Sequence, residues 1–181
     1  MSEWFRPAGT GSEAGYDMAV RPGESGWHHT GLLVLTLAAG ESRQVETGDC
    51  EWIVLPLALD PGAHLLVETD GQSIRLTGRP SVFAGPSDLV YLPRDSSFTV
   101  TSTAGVCRVA LPHARAKSVF PVRKIEAADV PVELRGAGAA SRQVQNFGTP
   151  GTLDADSIIA CEVITPAGNW SSYPPHKHDE D

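Results

Sequence analysis

His176 and His178 are the pair in this sequence whose type and spacing best suit chemistry. At i, i+2 on a β-strand, both imidazoles project from one face. Two neutral imidazoles on one face suit a borderline divalent ion such as zinc, manganese, iron or nickel. A stable site needs one or two more ligands, and the sequence ends at Asp181. A histidine pair near an acidic terminus is also what a solvated tail looks like. The residues leading into it favour the site. Residues 157–165 form a β-branched, apolar run of strand length, closed by Pro166 and Gly168. Asn169, Trp170, Ser171, Ser172, Tyr173, Pro174 and Pro175 then read as an aromatic, proline-stiffened loop that delivers His176.

The elements that must position these residues are strands. Short apolar runs at 32–37, 52–57, 64–68, 73–77, 89–92, 97–101 and 106–111 alternate with turn clusters such as Asp60-Pro-Gly and Thr69-Asp-Gly. With no helix of convincing periodicity, this spacing predicts an all-β sandwich or small barrel. Residues 113–150 are small, polar or breaker-rich and read as a connector, in which 119–125 can add a strand. The strand pattern restarts after Leu153.

Composition limits the partners. Hydrophobic residues make up 41% of 181, enough for a core, and 18 glycines with 14 prolines are scattered as in a turn-rich β protein. A net charge of −8 argues against nucleic acid or an anionic membrane surface. No apolar stretch approaches transmembrane length, and no secretory signal is visible at the N-terminus. Cys50, Cys107 and Cys161 are odd in number and widely spaced, which predicts buried free thiols in a reducing cytosol.

The arrangement resembles a bicupin, a double jelly-roll barrel. The match becomes specific at Arg142-Gln-Val-Gln-Asn146-Phe-Gly-Thr-Pro150, Ala160-Cys-Glu-Val-Ile-Thr-Pro166 and Trp170-Ser-Ser-Tyr-Pro-Pro-His-Lys-His178-Asp179. Gly26-Trp-His-His-Thr-Gly31 and the stretch 82–93 also fit. Together they resemble the 5-deoxy-glucuronate isomerase family of myo-inositol catabolism, related to the 4-deoxy-threo-hexosulose-uronate isomerases. The resemblance implies residues 1–112 as an N-terminal cupin-like barrel, 113–150 as connector and 151–181 as the start of a C-terminal barrel truncated in this chain. It implies a cytoplasmic, homo-oligomeric aldose–ketose isomerase acting on a small anionic sugar acid. The ion, zinc or manganese, would be held by His176 and His178, with a glutamate and a third histidine expected beyond Asp181. The first barrel has Glu46, Gly48 and Phe98 at its ligand positions, so no metal is expected there. An inactive bicupin fragment and a sugar-acid-binding cupin are the alternatives.

Such an isomerisation moves a proton between adjacent carbons while charge develops on oxygen, so it needs a Lewis acid and a base. The sequence does not name the base. Arg142 is the candidate cation for the substrate carboxylate, and reads equally as a solvated arginine of the connector. Asn146 can orient a hydroxyl or satisfy a turn, and Tyr173 can line the pocket or pack beside Pro174. Lys177 alternates away from the histidine face. Glu162 shares a strand face with Ile158, Ala160 and Ile164, as a pocket carboxylate or a salt-bridged structural group. His28, His29, His64 and His113 read as structural or exposed.

Overall fold

The computed structural model describes residues 7, 9–24 and 26–176. Six antiparallel strands form one sheet in the order β1 (Met18–Val20), β2 (Thr30–Leu37), β9 (Cys107–Arg115), β4 (Cys50–Leu59), β7 (Leu89–Leu92) and β10 (Arg123–Ile125). A second sheet of β3 (Ser42–Glu46), β8 (Ser97–Ser102), β5 (Leu65–Thr69) and β6 (Gln72–Leu76) faces it. Alternate residues of both sheets fill the space between them, including Leu33, Leu35, Val54, Val67, Phe98 and Leu111. This is an all-β, jelly-roll type arrangement. Among the described residues only short 3-10 turns interrupt it, and no helix is long and apolar enough to cross a membrane.

The six-stranded sheet is covered on both faces. Its inner face lines the barrel, and its outer face packs Ile53, Leu55, Leu89 and Tyr91 against Val130, Phe147, Leu153 and Ile158. That is why β4 and β7 are apolar with little alternation, the signature of a strand buried on both sides. Pro56 is tolerated in β4 because the β4–β9 register shifts between Pro56 and Ala58, where a ladder donor is not required. The β5–β6 hairpin closes on Asp70 and Gly71, both at positive φ (44° and 74°), as a two-residue Asp-Gly turn demands.

Within residues 113–150, read from the sequence as a connector, the structure places strands. β9 continues to Arg115 and β10 joins the first sheet. β11 (Val132–Arg135), β12 (Arg142–Gly148) and β13 (Ala160–Ile164) form a third sheet in that order. The alternation of β12 is disguised because Gln145 and Asn146 are polar yet buried. Of the cysteines, Cys50 and Cys107 are buried and free as expected, whereas Cys161 is exposed, because β13 turns it to the outer face.

Candidate functional site

The third sheet carries the residues singled out for substrate. Between β11 and β12 a tight turn of small residues, Gly136 to Ala140, bends back on itself. A Cβ on Gly136 (φ 78°) would collide with the carbonyl of Ala140, so only glycine fits. The loop after β13 docks on this turn. The Trp170 N–H donates to Ala139 O at 2.8 Å, and Asn169 Nδ2 donates to Ser141 O at 2.8 Å. Docking leaves an open cavity of about 560 Å³ lined by Ala137, Ala140, Arg142, Trp170 and Tyr173. Arg142 is half-buried and donates from Nη1 to Ala140 O at 3.0 Å, which fixes one edge of its guanidinium.

Arg142 and Tyr173 thus come together. Asn146 stands four residues along β12, about 13 Å away at strand rise, and is buried at 7% exposure without lining the cavity. Its N–H donates to Pro131 O at 2.9 Å. His176 follows Tyr173 at the end of the loop and is exposed, with Nδ1 3.0 Å from Pro174 O. A carbonyl only accepts, so this contact places the proton on Nδ1 and makes Nε2 the basic nitrogen. That tautomer fits a metal-ligating imidazole, whose other nitrogen is ordinarily held by a carbonyl or carboxylate. His178 and Lys177 lie outside the described residues. Among the described residues no group of three or more His, Cys, Asp or Glu could hold a metal ion.

Two buried polar centres, of which the sequence singled out only Glu162, fasten this sheet to the barrel. Arg79, 5% exposed, makes a two-pronged pair with Glu162: Nη1 to Oε2 and Nη2 to Oε1, both 2.7 Å. Its Nη1 also donates to Gly85 O at 2.6 Å and reaches Gln145 Oε1 at 3.4 Å. The turn that aims Arg79 is held by Asp88, which accepts from the N–H groups of Thr77 (2.7 Å) and Gly78 (2.8 Å). Glu162 therefore takes the salt-bridged alternative, on the strand face assigned to it.

The second centre is Glu51 of β4, fully buried. Its Oε1 accepts from the N–H groups of Ser157 and Ile158, each at 2.6 Å. Its Oε2 accepts from Tyr91 Oη at 2.8 Å and from the Asp156 N–H at 3.0 Å. Burial, reinforced by the bond to Glu51, pushes the Tyr91 phenol far above its ordinary range, so it stays a donor. Asp156 is itself held down to about 2, chiefly by the Lys117 N–H. A lone carboxylate inside the apolar run of β4 was the available signal, because a buried charge must be satisfied.

A model of the KduI/IolB family matches residues 4–181. Over 182 residues the chain is 38% identical to a protein of Geobacillus kaustophilus named 5-deoxy-glucuronate isomerase, covering 100% of this chain and 64% of that one. A protein of the same name from Geobacillus thermodenitrificans is 35% identical over 99% of this chain and 64% of its own length. Among solved structures, an IolB-like protein from Salmonella typhimurium LT2 superposes with a TM-score of 0.82 at 34% identity, over 94% of this chain and 63% of that one. A putative glyoxylate-induced protein from Pseudomonas aeruginosa shares the fold at 11% identity and a TM-score of 0.50, over 68% and 44% of the two chains. The chain spans just under two thirds of the length of the curated relatives it matches.

Proposed function

Because the chain belongs to the KduI/IolB family, we propose that the protein is a cytoplasmic, homo-oligomeric bicupin isomerase. It would convert 5-deoxy-D-glucuronate to 2-deoxy-5-keto-D-gluconate, an aldose–ketose isomerisation, in myo-inositol catabolism. The observation that carries this reading is one cavity holding Arg142 and Tyr173 on the loop that leads to His176, in a chain whose relatives bear the isomerase name.

In the proposed site the Arg142 guanidinium grips the substrate carboxylate through the edge not given to Ala140, and so fixes the acyclic chain in one register. The Tyr173 phenol hydrogen-bonds a substrate hydroxyl. Trp170 forms one wall of the open cavity, beside the substrate chain. His176, through Nε2, and His178 are the side chains that would hold a divalent ion. Such an ion supplies a Lewis acid for the carbonyl oxygen.

Turnover is followed by proton NMR with 5-deoxy-D-glucuronate in deuterated water, alongside metal content. His176→Ala is expected to lose bound metal and turnover together. Arg142→Ala is expected to raise KM by about tenfold to a hundredfold through loss of a charged hydrogen bond. Undiminished turnover in His176→Ala overturns the proposal.

A further inference from the structure

A second cavity, of about 360 Å³, opens at the mouth of the two-sheet barrel, and nothing in the proposed isomerisation uses it. Its floor is the end of the barrel core, with Leu33, Val45 and Trp52. Its rim carries Arg21, Arg115, Gln44, Glu46 and Asp49. The volume falls in the range of small-molecule sites, and an apolar floor with a few convergent polar groups is how such sites are built.

One row of side chains across β2, β9 and β4 shows how the cavity is shaped. Gly31 pairs with His113, and His113 pairs with Trp52. The imidazole lies stacked on the indole, with ring centroids 3.8 Å apart and planes 13° apart. It also leans over Gly31, where a Cβ would stand 2.6 Å from Cε1. Gly31 is therefore required both by the ring, whose Nε2 would stand closer still, and by the Val20 carbonyl, which would stand 2.7 Å from that Cβ. His113 Nδ1 lies 3.1 Å from Leu111 O, which places the proton there and makes Nε2 an acceptor. Burial holds the imidazole down to about 4, so it is neutral at physiological pH.

The rim groups complement that acceptor. Among the described residues Arg21 makes half-exposed pairs with Glu13 (3.2 Å) and Glu24 (3.8 Å) and lies over the Tyr16 ring, 6.0 Å from its centroid, and Arg115 pairs with Asp49 (3.6 Å). Pairs this exposed contribute little, so a ligand anion can exchange for them. Gln44 Nε2 donates to Glu46 at 3.1 Å, which leaves the Gln44 amide oxygen as an acceptor. Two guanidiniums call for a carboxylate. An imidazole nitrogen, an amide oxygen and a carboxylate call for hydroxyl donors.

We infer that the mouth of the first barrel is a second ligand site, for a small hydroxylated carboxylate bound through Arg21 and Arg115 with its hydroxyls toward His113 and Gln44. The site shares no lining residue with the Arg142 cavity and does not depend on the isomerase reading.

The test uses the purified chain labelled for NMR, with D-gluconate, D-glucose and hexanoate as probes. Gluconate is expected to shift the Trp52 indole N–H and the His113 ring resonances saturably, with a Kd below about 1 mM. Glucose, which lacks the carboxylate, and hexanoate, which lacks the hydroxyls, are expected to bind about tenfold or more weakly. Arg21→Ala and Arg115→Ala should each weaken gluconate by a similar factor, and Arg142→Ala should leave it unchanged. Where alanine lowers the thermal midpoint, the Arg→Gln variants carry the comparison. The inference is overturned if gluconate produces no saturable shift, if the shift survives loss of both arginines, if it disappears with Arg142→Ala, or if all three probes bind alike.

Discussion

Replacing Glu51 by glutamine changes one atom of the side chain and tests how the third sheet is held. In the native protein Oε1 faces the N–H groups of Ser157 and Ile158, and Oε2 faces the Tyr91 hydroxyl and the Asp156 N–H. If the new NH2 takes the Oε1 position, two backbone donors, that of Ile158 buried and that of Ser157 part-buried, meet a donor. If it takes the Oε2 position, the Tyr91 hydroxyl can rotate to accept, and only the Asp156 N–H is orphaned. The second arrangement is cheaper. It leaves one part-buried N–H unsatisfied, costing at most about 1–3 kcal/mol. It also turns two charged hydrogen bonds neutral, at about 1 kcal/mol each. Relief of carboxylate desolvation offsets part of this, so the net loss is about 3 kcal/mol. Glu51→Ala orphans all four donors and should lose about 5 kcal/mol. Tyr91→Phe removes one donor of four and should lose about 1.5 kcal/mol. Urea unfolding followed by circular dichroism and tryptophan fluorescence gives these values. Amide exchange at Ser157 and Ile158 shows whether the loop opens ahead of the rest. A Glu51→Gln protein within about 0.5 kcal/mol of wild type, with those amides still protected, would refute the reasoning.

The His113 imidazole is held at about 4 against an unfolded value near 6.5. The unfolded chain therefore takes up this proton first as pH falls, and stability is lost between about pH 6.5 and 4, by about 3 kcal/mol in all. His113→Gln should remove that part of the pH dependence; urea midpoints at pH 7 and 4.5 with equal slopes for both proteins would contradict it. Arg79→Met strands Glu162 beside the barrel and should cost about 3–5 kcal/mol, while Arg79→Met with Glu162→Leu should recover most of it. A double variant no more stable than the single one would show that the pair contributes more than mutual compensation.

The two-sheet barrel was legible from the sequence because its strands follow simple rules. The runs at 32–37, 52–57, 89–92, 97–101 and 106–111 fall within or nearly coincide with β2, β4, β7, β8 and β9. What escaped were strands whose polar residues are satisfied far away. β3 buries only Val45, and β12 sets Gln145 and Asn146 inside. The partner of Glu162 lies 83 residues away, and the three amide donors to Glu51 more than a hundred, separations at which no local pattern operates. The shared cavity of Arg142 and Tyr173 arises from the docking of the loop at Asn169 and Trp170 on the turn before β12, which spacing cannot show. The face on which Glu162 lies was readable, since strand periodicity survives without knowledge of the partner.

The two polar fastenings also define where this protein can be divided. A barrel cut free after β9 would keep Glu51 without its three amide donors and Arg79 without its carboxylate. It would also open the outer face of β4 and β7 to water. Such a piece carries its charges where a soluble module would carry apolar contacts or nothing. The smallest heritable unit is thus the barrel together with its third sheet. A recombination event or an expression boundary placed between them separates polar groups that are satisfied only when joined.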